Sequence, residues 1–112
     1  MKIIDKQIDK ATLANSEYLY NGGMIKGVVD VKKELLAIDG EMHADLEQLM
    51  LEQGSNQYDL WGINLYFDDD DDDFIEFDSM INIRPSQGNC SRSVEDSETQ
   101  AKIKEIVTKW IK

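Results

Sequence analysis

The residues best suited to acid–base chemistry in this sequence are its one histidine and two acidic side chains. Glu47 follows His43 by four residues, so a helix would place both side chains on one face. An imidazole and a carboxylate can act as a general acid and base, or contribute ligands to a metal ion. With Asp78 as a third group and Arg84 as an anion stabiliser, they define our second hypothesis, a small hydrolase or metal-assisted enzyme. A simple pairing of His43 with Glu47 is the structural alternative.

Arginine occurs at two positions only, and both flank one polar loop. Arg84 and Arg92 enclose PSQGNCS at residues 85–91, shortly before a predicted helix. Guanidinium groups bind carboxylates and phosphates through parallel hydrogen bonds, and free N–H groups at a helix start add further donors. The loop therefore predicts an anion site. The alternative is two ordinary ion pairs, Arg84 with Asp78 and Arg92 with Glu95 or Asp96.

Further polar side chains alternate along the strands that precede this loop. Asn64 and Asp78 would lie opposite each other, with Asn82 and Arg84 further along the same face. Amide, carboxylate and guanidinium groups on adjacent strands form a rigid recognition surface, although a solvated sheet face has the same pattern. We expect a small anionic molecule, or an acidic or carboxylate-bearing peptide, to bind there. The predicted ligand-binding residues are Asn64, Asp78, Asn82, Arg84, Gln87, Asn89 and Arg92.

Six consecutive aspartates, residues 68–73, form the most acidic segment of the chain. Carboxylates bind hard divalent cations, and Asp68, Asp70 and Asp72 are weak candidates for such ligands. The run lacks the alternating ligands, central glycine and final glutamate of a calcium-binding EF-hand loop. A solvated hairpin tip is therefore the preferred interpretation, and we predict neither a metal site nor a cofactor.

A predicted β-hairpin over residues 59–89 positions these candidates. Apolar side chains recur at odd positions on both sides of the aspartates, as half-buried strands require. Both apolar sets face the core only if paired residue numbers add to an even value, because a slip of one residue turns a strand over. We expect a sum near 142, which pairs Phe67 with Ile75, Leu65 with Phe77, Trp61 with Ile81, and Asn64 with Asp78.

Three helices, a second hairpin and an edge strand account for the rest of the chain. The last helix begins near Ser97, whose spacing to Gln100 is that of a capping box. Short connections favour antiparallel neighbours, so we predict an α+β fold, an antiparallel sheet built from two β-hairpins with about three helices packed on one face. The other predicted segments are a strand at residues 1–4, a helix at residues 10–20, a hairpin at residues 24–38 and a helix at residues 43–53.

Length and charge limit the classes of function. The 112 residues fit one domain, residues 1–112, and the formal net charge is −11. An acidic chain without a basic stripe repels phosphate backbones, so we expect no nucleic-acid partner. No apolar run is long enough to span a membrane, and the first residues lack the apolar core of a signal peptide. We therefore expect a cytoplasmic protein with no membrane partner.

Four strings in the chain resemble a small uncharacterised prokaryotic family that is known as a domain of unknown function. They contain the motifs HAD-x-E, GSxQxDLWGINLY and EFDSMINIRPSQGN. The resemblance covers most of the chain, and the aspartate tip departs from it as a local elaboration. Because no activity is known for the family, the resemblance implies no catalytic residue. The strings are KGVVDV at residues 26–31, GEMHADLE at residues 40–47, EQGSNQYDLWGINLY at residues 52–66 and IEFDSMINIRPSQGNCSRSVED at residues 75–96.

The preferred functional hypothesis is a non-catalytic binding module for a small anionic ligand or peptide. We favour it over the hydrolase of His43, Glu47 and Asp78 because the sequence assembles no complete catalytic set. A homodimer or complex subunit that associates with a protein partner through an exposed part of the apolar sheet is the third hypothesis.

Overall fold

The computed structural model describes residues 1–14, 23–67 and 74–112 of the chain. The described strands form one five-stranded antiparallel sheet, and three α-helices accompany it. This arrangement confirms the α+β fold that the sequence predicts. In chain order the elements are strand β1 (Lys2–Ile3), helix α1 (Lys10–Ala14), strands β2 (Met24–Asp30) and β3 (Leu35–Ile38), helix α2 (His43–Glu52), strands β4 (Leu60–Tyr66) and β5 (Ile75–Glu76), and helix α3 (Ser97–Trp110).

The sheet order is β1-β3-β2-β4-β5, so the two short strands β1 and β5 form its edges. The predicted hairpin at residues 24–38 is confirmed, with Asp30 opposite Leu35. Asp30 fixes the turn, because its Oδ1 accepts hydrogen bonds from the backbone N–H groups of Lys32 and Lys33, both at 2.9 Å. Its Oδ2 accepts a hydrogen bond from Ser55 Oγ at 2.6 Å, which ties the turn to the end of α2.

One face of the sheet, which we call the α3 face, carries the larger apolar cluster. Side chains alternate along a strand, so Val29, Trp61, Ile63 and Leu65 share this face. The apolar stripe of α3 packs against them and is buried, as its helical spacing predicts. The α3 residues in this cluster are Ile103, Ile106 and Val107, followed by Ile111 at the helix end.

The opposite face, which we call the α2 face, holds a second and smaller apolar cluster. Val28, Ala37 and Leu60 on the strands pack with Leu46 and Met50 of α2, and all five side chains are buried. The expectation that the helices pack on one face is therefore wrong. The central strands carry apolar residues on both faces, and each apolar face requires its own cover.

The pairing of β4 with β5 keeps the predicted even sum but shifts by one pair. Asn64 lies opposite Glu76, and Leu65 lies opposite Ile75, so the sum is 140 and not 142. The second strand also ends at Glu76, far short of the predicted length. Its expected continuation contains a 3₁₀ helix at Met80–Asn82, and Ile81 packs with the cluster on the α2 face and not with Trp61. All four predicted pairs are therefore wrong: Phe67 with Ile75, Leu65 with Phe77, Asn64 with Asp78, and Trp61 with Ile81.

The helices begin close to their predicted positions. The first begins at Lys10, and its predicted continuation to residue 20 lies outside the described residues, as do the six aspartates. Asp96 caps α3, because its side chain accepts a hydrogen bond from the Thr99 N–H, so the predicted cap at Ser97 is displaced by one residue. Among the described residues, no helix is long and apolar enough to cross a membrane.

Candidate functional site

A cleft of about 390 Å³ opens on the α2 face, beside the start of α2. Its floor comes from the sheet, because the apolar cover of α2 stops short of the strand ends near β5. The segment that follows β5 and the side chain of Arg92 form the far wall. The lining includes the side chains of Lys26, His43, Asn64, Tyr66, Glu76, Asp78 and Arg92, with Met24, Met42 and Met80 on the rim.

Strand alternation places the polar floor. Met24 pairs with Tyr66 and Lys26 pairs with Asn64 across β2 and β4, so these side chains point to the same face. Asn64 Nδ2 donates to Glu76 Oε1 at 2.9 Å, and the Tyr66 hydroxyl donates to the same oxygen at 3.1 Å. Burial, followed by the hydrogen bond and charge of Glu76, raises the pKa of Tyr66, which keeps the phenol protonated as a donor.

Asn64 is the most enclosed polar side chain of the floor, with 6% of its surface exposed. Its Nδ2 also donates to the Asp78 carbonyl at 3.2 Å, so both amide hydrogens are used. The side chain lies close enough to His43 to favour the protonated imidazole. No well-directed hydrogen bond reaches Asn64 Oδ1 from the described residues, and we therefore count this buried oxygen as unpaired.

His43 begins α2 and is half-buried at the edge of the floor. Its Nε2 lies 2.8 Å from the Ile63 carbonyl oxygen. A carbonyl can only accept, so Nε2 carries a proton and donates. Burial lowers the pKa of His43, and the nearby Lys26 charge acts in the same direction, against Ile63, Asn64 and Asp78. The imidazole is therefore neutral at pH 7 and its Nε2 is occupied by the main chain.

Arg92 reaches the cleft from the chain segment before α3. Its Nε lies 2.6 Å from Asp78 Oδ1, and both side chains are about half exposed. Its backbone carbonyl accepts hydrogen bonds from the Ser79 N–H at 3.0 Å and from Asn82 Nδ2 at 2.9 Å. The predicted pairing of Asp78 with Arg84 is wrong, because Asp78 pairs with Arg92. A fixed backbone and an oriented guanidinium make Arg92 a preorganised group at the cleft.

Comparisons with known proteins identify the family. The model of a family described as a protein of unknown function (DUF5674) matches residues 2–110. The chain belongs to this family. A search of curated proteins and a search of solved structures each returned no match. The description of this family names no activity, so function has to be inferred from the residues of the cleft.

In this DUF5674 chain, Arg84 lies outside the cleft and is buried. Its Nη1 donates to the Gln57 carbonyl, and its Nη2 donates to the Leu60 carbonyl at 2.6 Å. Its guanidinium carbon lies 4.3 Å from the centre of the Trp61 ring. Burial lowers the pKa of Arg84, while the charges of Glu47 and Asp59 oppose this effect. These contacts describe an arginine that joins its own loop to residues 57–61 inside the protein.

Glu47 lies one turn after His43, beside Arg84 and away from the cleft lining. Burial raises the pKa of Glu47, and the positive charge of Arg84 opposes the rise. Glu47 Oε2 and Arg84 Nε are buried without a hydrogen-bond partner among the described residues. Of the three residues of the hydrolase hypothesis, the structure brings His43 and Asp78 to the cleft and leaves Glu47 outside it.

The remaining predicted ligand-binding residues lie in the loop between β5 and α3 and contact the main chain. Asn82 and Asn89 are buried, and Asn89 Nδ2 donates to the Asn82 and Ser93 carbonyls, both at 2.7 Å. Gln87 Nε2 donates to the Tyr58 carbonyl at 3.1 Å. Asn64, Asp78 and Arg92 line the cleft, whereas Asn82, Arg84, Gln87 and Asn89 do not.

The predicted site omitted Lys26, Tyr66 and Glu76. Strand alternation could have found them, because Lys26 and Tyr66 lie on the same face as Asn64 once the even register is accepted. No group of three histidine, cysteine or acidic side chains in the described residues is arranged to hold a metal ion. The weak metal candidates Asp68, Asp70 and Asp72 fall outside the described residues.

Proposed function

We propose that this chain is a non-catalytic binding module that takes a small anionic ligand in the cleft through Arg92. The observation that carries this proposal is the state of the Arg92 guanidinium. Its Nε lies 2.6 Å from Asp78 Oδ1, and 55% of the side chain is exposed, so part of the guanidinium is open to a ligand in the cleft. A guanidinium that is fixed along one edge presents its remaining N–H groups to a carboxylate or phosphate.

A second positive charge in the cleft, that of Lys26, supports anion binding. Lys26 rises from the floor beside Asn64, and its Nζ donates to the Glu41 carbonyl at 2.7 Å, which fixes the ammonium at the rim. The net charge of −11 does not prevent a small anion from binding. Salt screens the effect of surface charges that lie more than about 10 Å from the ligand at moderate ionic strength. A long polyanion would be repelled by the acidic surface as a whole, whereas a small anion responds mainly to the charges inside the cleft.

The same geometry favours binding over acid–base catalysis. The protonated Nε2 of His43 is engaged by the Ile63 carbonyl, and Glu47 lies outside the cleft beside Arg84. The neutral ring keeps a free acceptor at Nδ1, but the hydrolase hypothesis pairs it with the carboxylate of Glu47, and that carboxylate does not line the cleft. The set that the hydrolase hypothesis needs is therefore divided between the cleft and the interior.

Titration with two simple anions tests the proposal. Acetate and inorganic phosphate are added at constant ionic strength to the ¹⁵N-labelled protein, and amide shifts are mapped. We expect shifts at the Asn64 side-chain amide and at the backbone around residues 78–81 and 92, because these groups border the free edge of Arg92.

Two variants decide whether Arg92 is responsible. Arg92→Gln removes the guanidinium and is expected to abolish the shifts, whereas Lys32→Gln removes one positive charge in the exposed β2–β3 turn and should retain them. Urea unfolding of each variant confirms an intact fold. Equal shifts in the wild type and Arg92→Gln, or shifts confined to residues outside the cleft, would contradict the proposal.

A further inference from the structure

We infer that the ligand of this cleft is a zwitterion, a small molecule with an anionic group at Arg92 and an ammonium group at Glu76, such as a free amino acid or a short peptide. This inference rests on the proposed function, since it assigns a ligand class to the same site. It adds a second recognition point, Glu76 on β5, that the anion proposal does not use.

Glu76 is an oriented carboxylate without a cationic partner. Its Oε1 accepts two hydrogen bonds, from Asn64 Nδ2 at 2.9 Å and from the Tyr66 hydroxyl at 3.1 Å. No ion pair joins it to a lysine or arginine of the described residues, whereas Asp78 in the same cleft pairs with Arg92. The second oxygen of Glu76 is left to receive a hydrogen bond from a donor in the cleft.

The neighbouring floor also favours a donor group. Asn64 Oδ1 is an unpaired acceptor in a side chain that is 94% buried, since 6% of its surface is exposed. The two donors of the Asn64 amide are already used by Glu76 and the Asp78 carbonyl. Glu76 and Asn64 Oδ1 therefore offer acceptors to a ligand in the cleft, while Arg92 offers donors.

Charge complementarity favours a ligand with both charges over a ligand of one sign. A simple anion at Arg92 would share the cleft with the uncompensated charge of Glu76, and a simple cation at Glu76 would share it with Arg92 and Lys26. Like charges at short range oppose binding, and opposite charges favour it. A ligand that carries both charges satisfies the two sides together.

The rim and the volume fit a compact zwitterion with an apolar part. Met24, Met42 and Met80 border the cleft, and the last two are 59% and 66% exposed. Methionine side chains adapt to varied apolar shapes. A volume of about 390 Å³ lies at the small end of the range for ligand sites, which suits an amino acid or a short peptide.

Three probes that share an isobutyl group separate the two charges. L-Leucine carries both groups, 4-methylpentanoate lacks the amine, and 3-methylbutylamine lacks the carboxylate. Dissociation constants come from amide shift titrations of the full chain at pH 7 and constant ionic strength. We expect leucine to bind about tenfold more tightly than either partial probe, because a charge-assisted hydrogen bond in the cleft contributes on that scale.

Glu76→Gln identifies the group that receives the ammonium. The amide keeps an oxygen to accept from Asn64 and Tyr66 but has no charge, so leucine should bind about tenfold more weakly while 4-methylpentanoate binds equally or more tightly. Glu98→Gln, in the exposed first turn of α3, is the matched control and should leave all three constants unchanged. Arg92→Gln should abolish binding of both carboxylate probes.

The outcomes distinguish the two proposals. If 4-methylpentanoate binds as tightly as leucine and Glu76→Gln strengthens both, the zwitterion is excluded and the anion site stands. If acetate, phosphate and all three probes leave the cleft amides unshifted, the anion site and the zwitterion fail together. If leucine binds about tenfold more tightly than either partial probe and Glu76→Gln removes this advantage, the inference is confirmed.

Discussion

The side-chain amide of Asn82 pairs with the backbone of Gly62 as a neighbouring strand would. Asn82 Oδ1 accepts from the Gly62 N–H at 2.8 Å, and Asn82 Nδ2 donates to the Gly62 carbonyl at 2.9 Å. This contact lies on β4 beyond the point where β5 ends at Glu76. One buried side chain therefore satisfies two backbone groups that the shortened strand leaves without a partner.

Asn82→Ala should be strongly destabilising. The substitution leaves the Gly62 N–H and carbonyl buried without partners, and each such group costs about 1–3 kcal/mol, so we expect a loss of about 2–4 kcal/mol in the free energy of unfolding. Urea unfolding followed by tryptophan fluorescence measures it. Asn56→Ala, at an exposed position whose side chain makes no cap hydrogen bond, is the control and should change stability by less than about 0.5 kcal/mol. A similar small change for both variants would refute the assigned role.

Gly62→Ala should also be destabilising, for a steric reason. A Cβ atom at this position would lie 2.6 Å from both Cβ and Oγ of Ser79 and 3.1 Å from Ile81 Cγ1. Overpacking of this kind costs about 1–3 kcal/mol. The double variant with Ser79→Gly removes the closest contacts and should recover part of the loss. Thermal or urea unfolding of the single and double variants tests this, and an unchanged wild-type stability in Gly62→Ala would contradict the close approach.

The two arginines should respond differently to the same substitution. Arg84→Lys loses the forked donation to the Gln57 and Leu60 carbonyls and the contact with Trp61, so we expect a loss of about 2–4 kcal/mol. Arg92→Lys replaces one exposed ion pair with another and should change stability by at most about 1 kcal/mol, while it weakens anion binding. Urea unfolding and the phosphate titration give the two readouts. Equal destabilisation by both substitutions would show that the buried contacts of Arg84 do not stabilise the fold more than the exposed ion pair of Arg92.

The free energy of unfolding should decrease as the pH is lowered through the titration of His43. The pKa of the folded imidazole lies below its ordinary value of 6.5 because of burial, so the unfolded chain takes up the proton first as pH decreases. The neutral ring makes its full contribution to the free energy of unfolding above pH 6.5. This contribution is lost as the pH falls through the lower pKa of the folded state. The free energy of unfolding relative to His43→Gln, measured from pH 7.5 to 5, should therefore decline. Parallel pH profiles for the two proteins would refute a depressed pKa.

Much of the fold follows from local patterns in the sequence. The turn at Asp30, the even register of the hairpin that contains Asn64, and the buried stripe of α3 all follow from side-chain period and turn chemistry. These features depend on which face a side chain takes, and the residue spacing along one element determines that. The polar floor of the cleft belongs to this class, because alternation alone directs Lys26, Asn64 and Tyr66 to one face.

Partners that are distant in the sequence were decided by the tertiary structure. Both arginines lie between β5 and α3 and flank one loop, yet Arg84 is enclosed by Gln57, Leu60 and Trp61 while Arg92 reaches Asp78 at the cleft. A long polar side chain takes whichever acceptors the packed chain brings within its reach, and spacing along the sequence does not encode them.

The end of β5 was decided in the same way. The apolar alternation after Glu76 predicted a longer strand, but the Asn82 amide takes the place beside Gly62 that the strand would have filled. The sequence by itself determined the faces of the sheet and the polar character of the cleft. Only the tertiary structure decided which charged groups meet there, because long-range hydrogen bonds depend on the packed positions of several elements together.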